Sequence, residues 1–351
     1  MKTKKKKIDK VKKKNTIIFR TSFLVFIFGV ALLFLTIHTY TLLYTPPNKE
    51  KLSKVITIHE NKNFKEVARQ LEAEGVIASK VFFVLLARAT GADRKIQAGE
   101  YLLHTSMLPL EILDIIKNGK VYQHKITIPE GYNIKQIGRL LEEEGFTEYK
   151  DYLKIVHNKE FIQAFGVEGE SLEGHLFPET YFFSKNQELE EIISAMVSKF
   201  FSVYTPEFEN RARQLGMSMK EVITLASIIE KETSSKDEMP IVSAVYHNRL
   251  KKGMPLQSDP TVIYGIKNYN GNITKKDLQT KTAYNTYRIK GLPPGPIANP
   301  GRMAIYSALY PADSPYLYFV SMNNGQHFFS TNLKDHNKAV WKYQIKKRRG
   351  V

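Results

Sequence analysis

The sequence predicts an α+β protein in three parts: an N-terminal transmembrane helix, a small α+β domain, and a larger, mostly helical α+β domain. Three observations predict it. The apolar run Thr21–Tyr44 is long enough to cross a bilayer core about 30 Å thick, which takes roughly 20 helical residues. A 20-residue segment occurs twice. The remainder alternates short apolar strands with stretches of helical period.

Arg20 is the last charge before the apolar run, and His38, Tyr40 and Tyr44 are the only titratable groups inside it. Tyr40 and Tyr44 suit the far interface. Between Met1 and Lys14 stand nine Lys and one Asp. Such a cluster stays cytoplasmic, which places everything after Pro46 outside the cytoplasm. The expected layout is a basic tail over 1–16 and a membrane helix over 17–44, a single-pass protein of the cell membrane. A cleaved leader is the rival reading. Its apolar core would be shorter, and cleavage at Gly29-Val30-Ala31 would leave Leu32–Leu35 as an apolar new terminus.

Of the net charge of +17 over 351 residues, the first 14 residues hold eight and the last ten hold five. The chain between them is nearly balanced and carries no basic stripe, which argues against nucleic acid as a partner. The lysines read as a topology signal and a contact for anionic membrane lipid. Cys is absent, so disulfides and thiol chemistry are excluded.

Pro46-Pro47-Asn48 is a spacer. Ile56–Gly75 then aligns without gaps with Ile126–Gly145, with 11 identities in 20 positions. Each copy reads as strand, turn and amphipathic helix. Phe64, Val67, Ala68 and Leu71 fall at i, i+3, i+4 and i+7, as do Ile134, Ile137, Gly138 and Leu141. Gly75 and Gly145 stop the helices. The first copy continues through a helix capped by Ser79, a strand at Tyr101–Leu103 and a helix at Leu110–Lys117. This strand–helix–helix–strand order over 45–121 resembles a LysM-type module, which binds N-acetylhexosamine glycans. A packing domain without a ligand is the even alternative.

The larger domain spans 122–351. Helices are expected at Gln187–Phe201, Pro206–Leu215, Ser218–Lys231 and Pro240–Lys252. Tyr316–Val320 and His327–Ser330 flank Asn323-Asn324-Gly325, a hairpin signal. Asn332 caps a last helix, and the tail Lys346–Arg349 reads as disordered.

Ser218-Met219-Lys220-Glu221 is a capping box. The helix it opens is apolar on most sides, hence buried. Glu230 stands at its C-terminal end. Burial and the negative end of the helix dipole both disfavour its charged form, which suits a general acid. Lys231 and Lys236 could cancel the shift, and most glutamates at helix ends bond only locally. Three polar, aromatic or proline-stiffened segments accompany it: Leu256–Gly265, Tyr284–Tyr287 and Gly291–Gly301. Amide, hydroxyl and carboxylate groups beside rigid aromatic loops point to carbohydrate. Gln257, Asp259, Thr261, Asn285, Thr286, Tyr287 and Asn299 are the expected substrate-binding residues.

ASIIEKET (Ala226–Thr233), LQSDPTVIYG (Leu256–Gly265), YNTY (Tyr284–Tyr287), GLPPGPIANPG (Gly291–Gly301), PYLYFV (Pro315–Val320) and LEGHLFPETY (Leu172–Tyr181) resemble the endolytic murein transglycosylases, the MltG or YceG-like family. The resemblance runs over essentially the whole chain. It implies that Glu230, the first Glu of EKET, is catalytic. It further implies a lytic transglycosylase that cleaves the β-1,4 bond between N-acetylmuramic acid and N-acetylglucosamine in nascent strands without water. Glu230 would protonate the bridging oxygen and then accept the proton of the muramoyl C6 hydroxyl, closing a 1,6-anhydro ring. The substrate supplies that nucleophile, so one carboxylate suffices. His175 departs from the family pattern, where an aromatic or aliphatic residue is common.

The implied partner is the peptidoglycan glycan strand, and an anchored cutter would work beside peptidoglycan synthases of the elongation machinery. The alternatives are a hydrolytic muramidase with Glu232 or Asp259 as second carboxylate, and a non-catalytic glycan-binding scaffold. The nine His show no metal-ligand spacing, and no nucleotide or serine-hydrolase motif occurs, so neither metal nor cofactor is expected. Asn272-Ile273-Thr274 would be a glycosylation site only in a eukaryotic secretory setting.

Overall fold

A computed structural model describes residues 2–267 and 269–346, with side chains from residue 19 onward. It divides into two compact units, residues 1–123 with 184–186, and 124–183 with 187–351. Residues 347–349 of the expected basic tail lie outside the described residues.

The first unit opens with α1 (Lys2–Tyr44). The helix starts well before residue 17, because no Gly or Pro interrupts the chain until Gly29 and lysine is a good helix former. Its portion Phe19–Tyr44 contains an 18-residue window of mean hydropathy 2.2 in which no residue is buried. That length and composition are those of a membrane-spanning helix.

β1 (Ser53–Ile58), α2 (Phe64–Ala73), α3 (Lys80–Thr90), β2 (Gly99–His104) and α4 (Pro109–Lys117) complete the unit. β1 pairs antiparallel with β2, Ile56 opposite Tyr101. The apolar stripe of α2 (Phe64, Val67, Ala68, Leu71) is buried with Ile56, Ile58, Phe83, Tyr101 and Ile112 in one core.

The second unit begins with the second repeat, β3 (His124–Thr127) and α5 (Ile134–Glu143). After α6 (Tyr149–Val156) and α7 (Lys159–Ala164), β3 pairs antiparallel with β4 (Thr180–Phe183), Ile126 opposite Tyr181. The duplication therefore reaches further than the aligned 20 residues: in each copy the repeat's Ile faces a strand tyrosine. Asn63 and Asn133, identical in the two copies, cap α2 and α5 by accepting from the backbone N–H three residues on. Gly75 and Gly145 follow the helices at φ +70° and +71°, the left-handed region that glycine enters without cost.

The remaining helices are α8 (Leu189–Val203), α9 (Pro206–Gln214), α10 (Met219–Glu232), α11 (Met239–Lys251), α12 (Asp259–Gly265), α13 (Lys275–Gln279) and α14 (Arg302–Leu309). The hairpin β5 (Tyr318–Ser321) and β6 (His327–Ser330) and α15 (Leu333–Val340) close the unit. α10 lies at the centre. Every residue from Val222 to Ile229 is buried, and its core includes Val242 and Tyr246 of α11 and Ala304, Ile305 and Ala308 of α14. The Ser218–Glu221 capping box forms in full. Arg249 of α11 donates to the carbonyls of Leu317 and Leu256, both at 2.7 Å, tying the hairpin and the Leu256 loop to the helix layer.

Gly138, on the buried stripe of α5, lies against the ring of Tyr152; a Cβ there would stand 2.5 Å from its Cδ1. Alanine would gain about 1 kcal/mol of helix propensity but lose about 1–3 kcal/mol to overpacking. Gly138→Ala is therefore expected to lower the thermal unfolding midpoint; a rise would refute this packing.

Candidate active site

Glu230 sits in the last turn of α10 and is half-buried. Two backbone segments enclose its carboxyl. The Gly301 N–H, at the N-cap of α14, donates to its Oε2 at 2.9 Å. Gly131, at φ +76°, lies against its Cγ, where an added Cβ would stand 3.4 Å away. Burial pushes the Glu230 carboxyl up from its ordinary value, opposed by the Gly301 N–H. The negative charge of Glu130 pushes the same way as burial, while Lys231 and Lys236 oppose it. Burial wins because it penalises the charged form and only one hydrogen bond compensates.

The enclosing segments hold each other. The Gly131 N–H donates to the Asn299 carbonyl at 3.0 Å, and the Asn299 N–H returns a bond to the Tyr132 carbonyl at 2.8 Å. The Asn299 side chain donates to that same carbonyl and to Glu173, and accepts from the Leu176 N–H at 2.8 Å. Ser227, buried in α10, accepts from the Ile297 N–H at 3.0 Å. Gly174, at φ +86°, lets the Leu172–Tyr181 segment approach Pro296; a Cβ there would meet Pro296 Cγ at 2.6 Å. Two other sequence motifs, Ala226–Thr233 and Leu172–Tyr181, thus converge on the loop that carries Gly301.

Glu173 is a second buried carboxyl, missed from the sequence. It accepts from the Ile134 N–H, from Asn299 and from the Tyr264 hydroxyl at 3.0 Å. Burial nonetheless pushes it up to about 8. His175 beside it packs edge-on against Phe200, and burial drops its pKa to about 4, so it sits there as a neutral ring.

The expected sugar-contacting residues separate into two groups. Gln257 and Asp259 are exposed and Tyr287 is half-buried; the Tyr287 hydroxyl donates to Asp259 at 2.6 Å. Gln257 adopts φ +53°, uncommon outside glycine. Thr261, Asn285, Thr286 and Asn299 have no exposed surface. Their side chains lie behind the protein surface. Thr286 bonds the Ser258 N–H and Thr261, and Asn285 donates to the carbonyls of Asp277, Leu278 and Thr280. Their hydrogen-bonding groups shape loops.

Glu232 stands two positions beyond Glu230 on the same helix, so the two do not share a face. It accepts from Tyr246 at 2.8 Å and from Ser258 at 2.5 Å, and burial raises its pKa.

One half-buried carboxyl, walled by two backbone segments and held above its ordinary pKa, is the candidate acid–base group. Comparison with known proteins agrees with the motifs. A family model described as the YceG-like family matches residues 56–342. The endolytic murein transglycosylase of Bacillus subtilis (strain 168) is 34% identical over 318 residues, 86% of this chain and 88% of that one. A protein of the same name from Streptococcus pneumoniae serotype 2 is 27% identical over 81% of this chain but only 57% of its own length. The crystal structure of a yceG-like protein from Listeria monocytogenes superposes with a TM-score of 0.57 and 32% identity, over 82% of this chain and 99% of that one. The chain belongs to the YceG-like family.

Because folding lifts the Glu173 pKa from 4.5 to about 8, the folded protein binds its proton more tightly than the unfolded chain does. Stability is then lost as pH rises between these values. Thermal unfolding from pH 5 to pH 8 is expected to show this fall, and Glu173→Gln to flatten it; an unchanged slope in the variant would contradict it.

Proposed function

We propose that this chain is a membrane-anchored endolytic murein transglycosylase, with Glu230 as its catalytic acid and base. The observation that carries the reading is the Glu230 carboxyl itself: half-buried, hydrogen-bonded to the Gly301 backbone N–H, and raised in pKa by burial despite Lys231 and Lys236. The names of the Bacillus and Streptococcus relatives supply the substrate class, murein.

Glu230 protonates the oxygen bridging N-acetylmuramic acid to N-acetylglucosamine. As the C1–O bond breaks, positive charge develops on the muramoyl ring. The carboxylate left behind then takes the proton of the C6 hydroxyl, whose oxygen attacks C1 and closes the 1,6-anhydro ring. The glycan loses no atoms to water, and Glu230 ends protonated for the next cycle. The attacking group belongs to the same sugar, so its effective molarity replaces an activated water.

Gln257, Asp259 and Tyr287 are the candidates to touch sugar. Thr261, Asn285, Thr286 and Asn299 act as positioning residues behind them. The first unit, residues 45–121, is proposed as a LysM-like glycan-holding module, and residues 122–351 as the catalytic domain. The apolar part of α1 supports a single-pass anchor with a cytoplasmic N-terminus and extracytoplasmic domains. Membrane lipid and membrane-bound peptidoglycan synthases are the partners this location offers. A muramidase using Glu232 finds no support in the geometry, since that carboxylate faces Tyr246 and Ser258.

Detergent-solubilised full chain on uncrosslinked glycan strands tests the reading. Mass spectrometry is expected to find new ends lighter by one water than reducing ends. Glu230→Gln should lower kcat by about 10²–10⁴-fold, the usual worth of a general acid. Reducing ends would indicate a hydrolase, and an equally active Glu230→Gln would remove Glu230 from the chemistry.

A further inference from the structure

Glu130 has no role in the scheme above. It lies in the turn between β3 and α5, in Pro129-Glu130-Gly131. Its carboxylate is exposed, and among the described residues no hydrogen bond or ion pair engages it. The backbone that carries it is held. The next residue, Gly131, is bonded through its N–H to Asn299 and through its carbonyl to Lys231 Nζ at 3.2 Å. The carboxylate rests on the Cα of Gly301, where any Cβ would overlap it. Gly301 has φ −74°, a conformation open to every residue, so its own backbone does not call for glycine. Its bare Cα leaves the space that the Glu130 carboxylate occupies.

Gly301 is also the residue whose N–H holds Glu230. Two carboxyl groups therefore flank one glycine. Standard bond lengths place their oxygens no more than about 8 Å apart, within the span of paired glycosidase carboxyls. A like charge left unpaired this close to a half-buried carboxyl works against folding. Such arrangements cluster where chemistry needs them.

We propose that Glu130 is a second catalytic carboxylate, facing the anomeric carbon across Gly301 from Glu230. The inference rests on the reading of Glu230 as the acid. As the C1–O bond breaks and its electron pair leaves with the bridging oxygen, the Glu130 carboxylate stabilises the cationic ring electrostatically. It forms no bond and gains no proton. The C6 oxygen still closes on C1, and its proton still returns to Glu230. Glu130 has a further effect before reaction: its charge holds the proton on Glu230.

The test compares Glu130→Gln with the wild-type full chain in detergent, on uncrosslinked glycan, across a pH series. kcat should fall roughly 10- to 100-fold with KM nearly unchanged and anhydro ends retained, as for an interaction made only in the transition state. The alkaline limb of the pH–rate profile should move to lower pH, because removing the neighbouring charge lets Glu230 ionise sooner. Gly301→Ala, which pushes Glu130 aside without changing its charge, should lower kcat as well. Wild-type kcat in Glu130→Gln overturns the proposal, as does a loss carried by KM with an unmoved alkaline limb, the mark of a merely structural residue. An active Glu230→Gln would instead fail the underlying reading, so the two failures are distinguishable.

Discussion

The candidate site depends on one constraint: a carboxyl is held at the end of a helix that has no exposed side from Val222 to Ile229. Such a helix cannot turn to release Glu230 into water without exposing its apolar residues, each worth about 1.5–3 kcal/mol when buried. The carboxyl is thereby committed to a partly desolvated place, where its neutral form is favoured. Backbone then completes what burial begins. One N–H from Gly301 gives the charged form a single partner, enough for the proton to leave and return.

The loops around Glu230 are rigid for reasons spread across the sequence. Asn299 bonds two segments at once, Ser227 fixes Ile297 from inside α10, and the prolines of Gly291–Gly301 remove backbone freedom. Gly174 and Gly301 serve close approach, of Pro296 in the first case and of the Glu130 carboxylate in the second. Small side chains here mark contact between segments far apart in sequence. Glu173 anchors this arrangement from below, as a buried acid whose bonds hold Asn299.

Much of this was legible in the sequence. Periodicity identified α2 and α5 with their buried stripes, Ser218 and Glu221 marked the start of α10, and Asn323-Asn324-Gly325 marked the β5–β6 hairpin. Glu230 stood out because its helix was apolar all round. The short helices α6, α7, α12, α13 and α14 escaped, since five to eight residues carry too few turns for a periodic signal. Thr261, Asn285, Thr286 and Asn299 were read as sugar contacts because polar residues in loops usually face solvent; here they meet other backbone and lie buried. Glu130 and Glu173 were missed for a related reason. Their significance lies in contacts with Gly301 and Asn299, more than 120 positions away. One signal did exist: Glu130 is among the identities shared by the two repeats, in a turn where little else is retained.

The central claim is that the fold raises the pKa of the Glu230 carboxyl above its ordinary value, chiefly by burial. Carbon-13 NMR titration of labelled glutamate side chains, with the Glu230 signal assigned by its loss in Glu230→Gln, measures this directly. The account predicts an apparent pKa above the model-peptide value of about 4.3. A carboxyl that titrates at or below that value would contradict it.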